Sequence, residues 1–285
     1  MDPTLRRGLA AELLGTFAIV YFGAGAVCVN HLAGQQPDNP ALQALQPGLA
    51  GLALAQGLIF AAVLAVTVRL SGGFLNPAIT LMLWVFNRLD NRRTGLFLAA
   101  QLVGGLLAGA CLRFTFDAPL LREARMGTPH VNLLAFKDLT TGTIIAGTAA
   151  ELVLTFFLVF AIFAASAVVP GRGDDPAESL SRAALPAGLV LVAGAFVVGP
   201  LTGAAANPAR WFGTVLWEQF LPERTANPWS DTFVYLAGPI LGALASGLVT
   251  FRFLLNESPL GEAARGTPAA QPQPAKAPVA AGKRK

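Results

Sequence analysis

Long apolar runs alternate along this chain with short polar connections punctuated by proline. A helix needs about 20 predominantly apolar residues to cross roughly 30 Å of hydrocarbon. Six runs approach or reach that length, at residues 9–29, 48–68, 95–113, 144–169, 184–200 and 232–255. The connections 30–47, 114–143 and 170–183 hold turn formers and charges, Pro37, Pro40 and Pro47 among them. Two further apolar stretches, about 77–86 and 208–220, are too short to cross, and each begins at a proline. Backbone polar groups must be satisfied internally in lipid, so these stretches predict half-helices that re-enter the bundle. The pattern therefore predicts an all-α membrane protein with six transmembrane helices and two re-entrant half-helices.

Composition agrees. Hydrophobic residues make up 54% of the 285 and charged residues only 13%, about half the charged share of a soluble domain. Disorder of the whole chain is excluded, because disorder needs low hydrophobicity and high net charge. The net charge of +4 is spread without a basic stripe, which argues against nucleic acid as a partner. Cys28 and Cys111 sit inside apolar runs, and His31 and His130 are the only histidines, so neither a disulfide framework nor a metal site is expected. No nucleophile–base pair, phosphate loop or cofactor motif appears, and no enzyme or cofactor is predicted.

Lys and Arg set the orientation. With a cytoplasmic N-terminus, the inside set is Arg6, Arg7, Arg69, Arg88, Arg92, Arg93, Arg172, Arg182, Arg252, Arg265, Lys276, Lys283, Arg284 and Lys285. The outside set is smaller: Arg113, Arg122, Arg125, Lys137, Arg210 and Arg224. Both termini then face the cytoplasm across a plasma, or inner, membrane. Arg6 and Arg7 ahead of an apolar run with Ala24-Gly25-Ala26 have the look of a signal peptide, but that run has a counterpart in the second half and reads as a retained span. The expected organisation is a cytoplasmic N-terminus at 1–8, a membrane domain at 9–255 and a disordered cytoplasmic tail at 256–285, rich in Pro, Ala and Lys.

The membrane domain is written twice. Ala11-Glu12-Leu13-Leu14-Gly15-Thr16-Phe17 returns 139 residues later as Ala150-Glu151-Leu152-Val153-Leu154-Thr155-Phe156. Ser71-Gly72-Gly73-Phe74-Leu75-Asn76-Pro77-Ala78 returns 131 residues later as Thr202-Gly203-Ala204-Ala205-Ala206-Asn207-Pro208-Ala209. The repeats cover about 9–116 and 144–255. Each holds three full spans, an odd number, so the second must enter from the opposite face as an inverted repeat. Such repeats place their special residues near the midplane. Asn is a favoured helix cap and Pro is tolerated at the first helical position. Asn76-Pro77-Ala78 and Asn207-Pro208-Ala209 therefore start the two half-helices, whose positive ends should meet halfway across the lipid.

The duplicated Ala-Glu-x-x-x-Thr-Phe, the two Asn-Pro-Ala boxes and the Arg210 after the second resemble the major intrinsic protein family, the aquaporins and aquaglyceroporins. The resemblance covers about residues 8–255. It implies a right-handed, aquaporin-like bundle around one narrow pore per subunit, a homotetramer in membrane lipid, and passive conduction of water and small neutral, glycerol-like solutes without protons or ions. In that family Asn76 and Asn207 would cap their half-helices and aim amide N–H groups into the pore, while Arg210 would line the outer constriction. Counting from the boxes as the family does puts the other constriction positions at Gln56, Ala195 and Ala204. Water channels of the family place an aromatic and a histidine where Gln56 and Ala195 stand, so the expected filter is polar and wider than one water. Glycerol channels usually carry Asp where Trp211 follows the arginine. Glu12 and Glu151, the acidic residues deep in full spans, are expected to satisfy backbone N–H groups of the loops before the boxes. Alternatives are a facilitator preferring glycerol, urea or a metalloid acid with low water flux, and a gradient-coupled secondary transporter. Trp211, Trp217, Trp229 and Tyr235 are expected at an outer interfacial belt.

Overall fold

The computed structural model describes residues 2–35, 39–167, 182–223 and 226–254. The expected tail at 256–285 and nearly all of the 170–183 connection lie outside the described residues. Eight principal helices follow in order: α1 (Pro3–Gly34), α2 (Gly48–Ser71), α3 (Pro77–Val85), α4 (Asn91–Thr115), α5 (Thr141–Ala167), α6 (Ala184–Thr202), α7 (Pro208–Glu218) and α8 (Thr232–Gly247). α8 runs on through wider π-helical turns at Leu248–Leu254. Six of these elements are long and apolar enough to span a membrane, and α3 and α7 are the two half-helices.

Local chemistry explains where the helices start. Asp2 caps α1 by accepting from the Thr4 amide at 3.3 Å, and Pro3 takes the first helical position. The helix therefore begins at Pro3, ahead of the expected start of the apolar run at residue 9. Asp90 caps α4 through the Arg93 amide at 2.9 Å, which likewise starts that helix before residue 95.

Packing follows the duplication. α1 lies against α2 and α4, and α5 lies against α6 and α8 in the same relation. Each half-helix packs on the last spanning helix of the other repeat, α7 on α4 and α3 on α8, while α2 and α6 meet each other. Lipid tails give no hydrophobic drive for helices to associate, so close packing through small residues does that work. At the α2–α6 crossing, a Cβ added to Gly57 would run into the Gly188 carbonyl, and one added to Gly188 would run into that of Gly57. At the α4–α7 crossing, a Cβ added to Gly213 would lie 2.5 Å from the Gly105 carbonyl, one added to Gly105 would lie 2.7 Å from the Ala209 carbonyl, and one added to Gly109 would run into the Gly213 carbonyl. Leu14, Phe22, Leu54, Leu58, Val66 and Phe157 stay exposed on the outside of the bundle, as expected of a surface facing hydrocarbon.

Candidate functional site

The two loops that enter the bundle share one backbone course. α2 ends on Gly72 and α6 on Gly203, both left-handed, with φ of 97° and 81°. Further left-handed residues follow at matching places, Gly73 and Ala204, then Leu75 and Ala206. The chain then straightens at Asn76 and Asn207, with φ of −154° and −152°, and the half-helices begin at Pro77 and Pro208. Asn76 Oδ1 accepts from the Ala78 amide at 2.9 Å, and Asn207 Oδ1 accepts from Ala209 at 2.9 Å and Arg210 at 3.3 Å. Each amide group also reaches across. Asn76 Nδ2 donates to the Ala206 carbonyl and Asn207 Nδ2 to the Leu75 carbonyl, both at 2.8 Å. The positive ends of α3 and α7 are thus laced together, and each NH2 keeps a second hydrogen for a lumen oxygen.

The buried carboxylates hold these loops. Glu12 accepts from the Phe74 and Leu75 amides at 3.1 and 2.6 Å and from Gln101 Nε2 at 2.7 Å. Glu151 accepts from the Ala205 and Ala206 amides at 2.9 and 2.8 Å and from the Thr202 hydroxyl. Both are fully buried. Four non-helical N–H groups that would otherwise lie unpaired in a lipid-immersed bundle are thereby satisfied.

A lumen runs alongside. From Gln56 and Arg210 to Asn76 and Asn207 it is a cavity of about 20 Å³, walled by Ile19, Phe60, Leu158, Leu191, Ala205 and Ala206. Gln56 and Arg210 also line a second, wider cavity of about 170 Å³, the mouth, where Thr128, Ala195, Gly199 and Gly203 are among the lining residues. Gln56, Ala195 and Arg210 therefore come together. Ala204 is buried in the same loop, but its neighbours Gly203 and Ala205 form the walls.

Arg210 is held from the 116–140 connection. Its Nη1 donates to the Gly127 carbonyl at 3.3 Å, while its buried Nε meets no protein acceptor among the described residues. The connection is itself clamped. His130 Nε2 pairs with Glu218 at 2.7 Å and its Nδ1 with Asp231 at 3.1 Å, and Arg125 Nε donates to Glu218 at 2.7 Å. Burial disfavours a charged imidazole here, but the bonds to Asp231 and Glu218 outweigh it and hold the His130 pKa above its ordinary 6.5.

The sequence profile described as Major intrinsic protein matches residues 2–250. The chain belongs to the major intrinsic protein family. Aquaporin TIP4-4 of Zea mays is 36% identical over 249 residues, covering 87% of this chain and 86% of that one. Putative aquaporin NIP4-1 of Arabidopsis thaliana is 30% identical over 258 residues, covering 90% and 78%. The crystal structure of the aquaglyceroporin from Plasmodium falciparum shares the fold at a TM-score of 0.70 and 20% identity, covering 88% of this chain and 98% of that one. This member of the major intrinsic protein family is an integral membrane channel for water and small solutes.

Within the family pattern, two features of this member differ from the sequence reading. Trp211 and Tyr235 are not at an interfacial belt. Both are fully buried, with rings stacked 5.7 Å apart and Trp229 edge-on to Trp211 at 5.5 Å. Burial suits Tyr235, whose hydroxyl has a partner inside, donating to the Thr202 carbonyl at 2.7 Å, whereas the buried Trp211 Nε1 meets no acceptor among the described residues. The second difference is the wall between the constriction and the boxes, which the sequence reading left out. Ile19 and Leu158 are 139 residues apart and Phe60 and Leu191 are 131 apart, the same offsets as the two motifs. That spacing was a usable signal, but apolar residues in apolar spans look alike until neighbours are known. The clamp of His130, Glu218 and Asp231 carried no signal, since His130 lies 88 and 101 residues from its partners.

Proposed function

We propose that the chain conducts water and small uncharged solutes passively through this lumen and excludes protons and ions. The observation that supports this most is the pair of opposed half-helix N-termini joined by Asn76 and Asn207 on the wall of one buried cavity. A permeating oxygen accepts from both amides. Water at that point is turned so that it cannot pass a proton along the file, and the two helix ends repel cations. Arg210, buried at the upper end of the lumen, adds a fixed positive charge. Glu12 and Glu151 act as scaffold, since their oxygens are occupied by loop donors. No catalytic step is assigned.

The positive-inside count supports placing the 116–140 connection outside and both termini in the cytoplasm. A homotetramer rests on the resemblance to the family. Stopped-flow light scattering on proteoliposomes tests the function. Water flux well above that of empty vesicles, with a low activation energy and no response to proton or sodium gradients, is expected. Gradient-driven accumulation of a solute would instead establish a coupled transporter, and negligible flux from folded protein would discard the channel.

A further inference from the structure

We propose that Phe60 sets the size limit of this channel, so that polyols are held back at mid-membrane, one helical turn inside the positions expected to form the filter. The inference deepens the passive-channel reading and rests on it. Gln56 and Phe60 are four residues apart on α2 and so share a face. Gln56 borders both cavities, whereas Phe60 borders only the inner one. The mouth above, about 170 Å³, has room for a small polyol and offers it Gln56, Thr128 and Arg210. The lumen beneath has about 20 Å³. One water needs roughly 10–15 Å³ by this measure, so the inner cavity has room for about one water and not for a whole polyol.

The wall opposite the asparagines explains the narrowing. Ile19 and Leu158, equivalent in the two repeats, have nearly the same bulk. Phe60 and Leu191 are equivalent too, but an aromatic ring faces the lumen on one side only, and it is just 2% exposed. The helix that carries the ring is packed closely on α6, because Gly57, three residues before it, lies backbone to backbone against Gly188. Apart from Gln56 and Arg210 at the upper end and the two asparagines, the side chains lining this stretch carry no polar group. A polyol with several hydroxyls would shed more hydrogen bonds there than a water does, which adds to the steric barrier.

The test is paired water and glycerol permeability of the full chain in proteoliposomes. The variants are Phe60→Leu, Phe60→Ala, Leu191→Phe and, as the filter control, Gln56→Ala. The glycerol-to-water ratio is expected to rise stepwise through Phe60→Leu to about tenfold for Phe60→Ala, because pore diameter governs passage. Leu191→Phe, which adds a second ring, is expected to cut water flux by about the same factor. Gln56→Ala should move the ratio much less than Phe60→Ala. Phe60→Leu keeps the wall apolar and filled, so it reports on aperture even if the alanine variant folds poorly. A ratio unchanged in folded Phe60→Leu, or raised as much by Gln56→Ala as by Phe60→Ala, would overturn the proposal. Wild-type protein that adds no water permeability at all would sink the channel reading, and this proposal with it.

Discussion

Single residues carry the chemistry here, and two of them allow sharp tests. Glu151 faces the Ala205 and Ala206 amides and the Thr202 hydroxyl. In Glu151→Gln, an NH2 replaces one acceptor oxygen and leaves at least one buried N–H unpaired, which costs about 1–3 kcal/mol. Thermal unfolding in detergent should shift down accordingly, while proton permeability of the surviving tetramer or monomer stays at the wild-type level. A change in proton flux without loss of stability would make Glu151 a relay instead of a scaffold. Arg210 is the other case. Arg210→Ala removes the fixed charge beside the mouth, and a proton or sodium leak should appear in pH-dye-loaded vesicles while water flux persists. The boxes were legible in the sequence because cap, proline and first turn are neighbours. Phe60 was not singled out, because its side chain is chemically indistinguishable from the apolar residues that merely face lipid.

Elements add constraints that no residue shows alone. α4 and α7 touch through Gly105 and Gly213, and α7 carries both Asn207 and Arg210. Gly105→Val would force the two backbones apart and is expected to lower the unfolding temperature and the yield of monodisperse protein. A variant as stable as wild type would show that this crossing can relax. The 116–140 connection depends on the His130 clamp, and its pH dependence has a definite sign. The folded pKa is raised, so the bridge to Glu218 and Asp231 contributes fully below the unfolded value near 6.5 and is lost as pH climbs through the higher folded value. Stability should therefore decline on the alkaline side, and His130→Gln should flatten that decline in a thermal melt series from about pH 6 to pH 9. A decline of equal size in the variant would assign it to other groups. Helix existence was readable from hydropathy, but the ends of α1 and α4 moved outward because Asp2 and Asp90 cap positions that are polar and lie outside the apolar runs.

At the scale of the molecule, the duplication governs everything else. Equivalent contacts recur in both halves, and the pseudo-symmetry brings equivalent residues of the two repeats against each other, the Asn76 loop against the Asn207 loop and Gly57 against Gly188. A homotetramer of 29.6 kDa chains is the expected assembly, and native mass spectrometry from a mild detergent should release four-chain particles. A monomer that still conducts water would remove the assembly from the functional account. By itself the sequence determined the six spans, the inverted repeat, the two capped half-helices and the buried glutamates, because each depends on local propensity or on a spacing repeated along one chain. Only the tertiary structure decided where the lumen narrows and what holds Arg210. Those outcomes depend on how closely several helices and one irregular connection approach, and that distance is set by side-chain volumes and glycine contacts drawn from segments far apart in the chain.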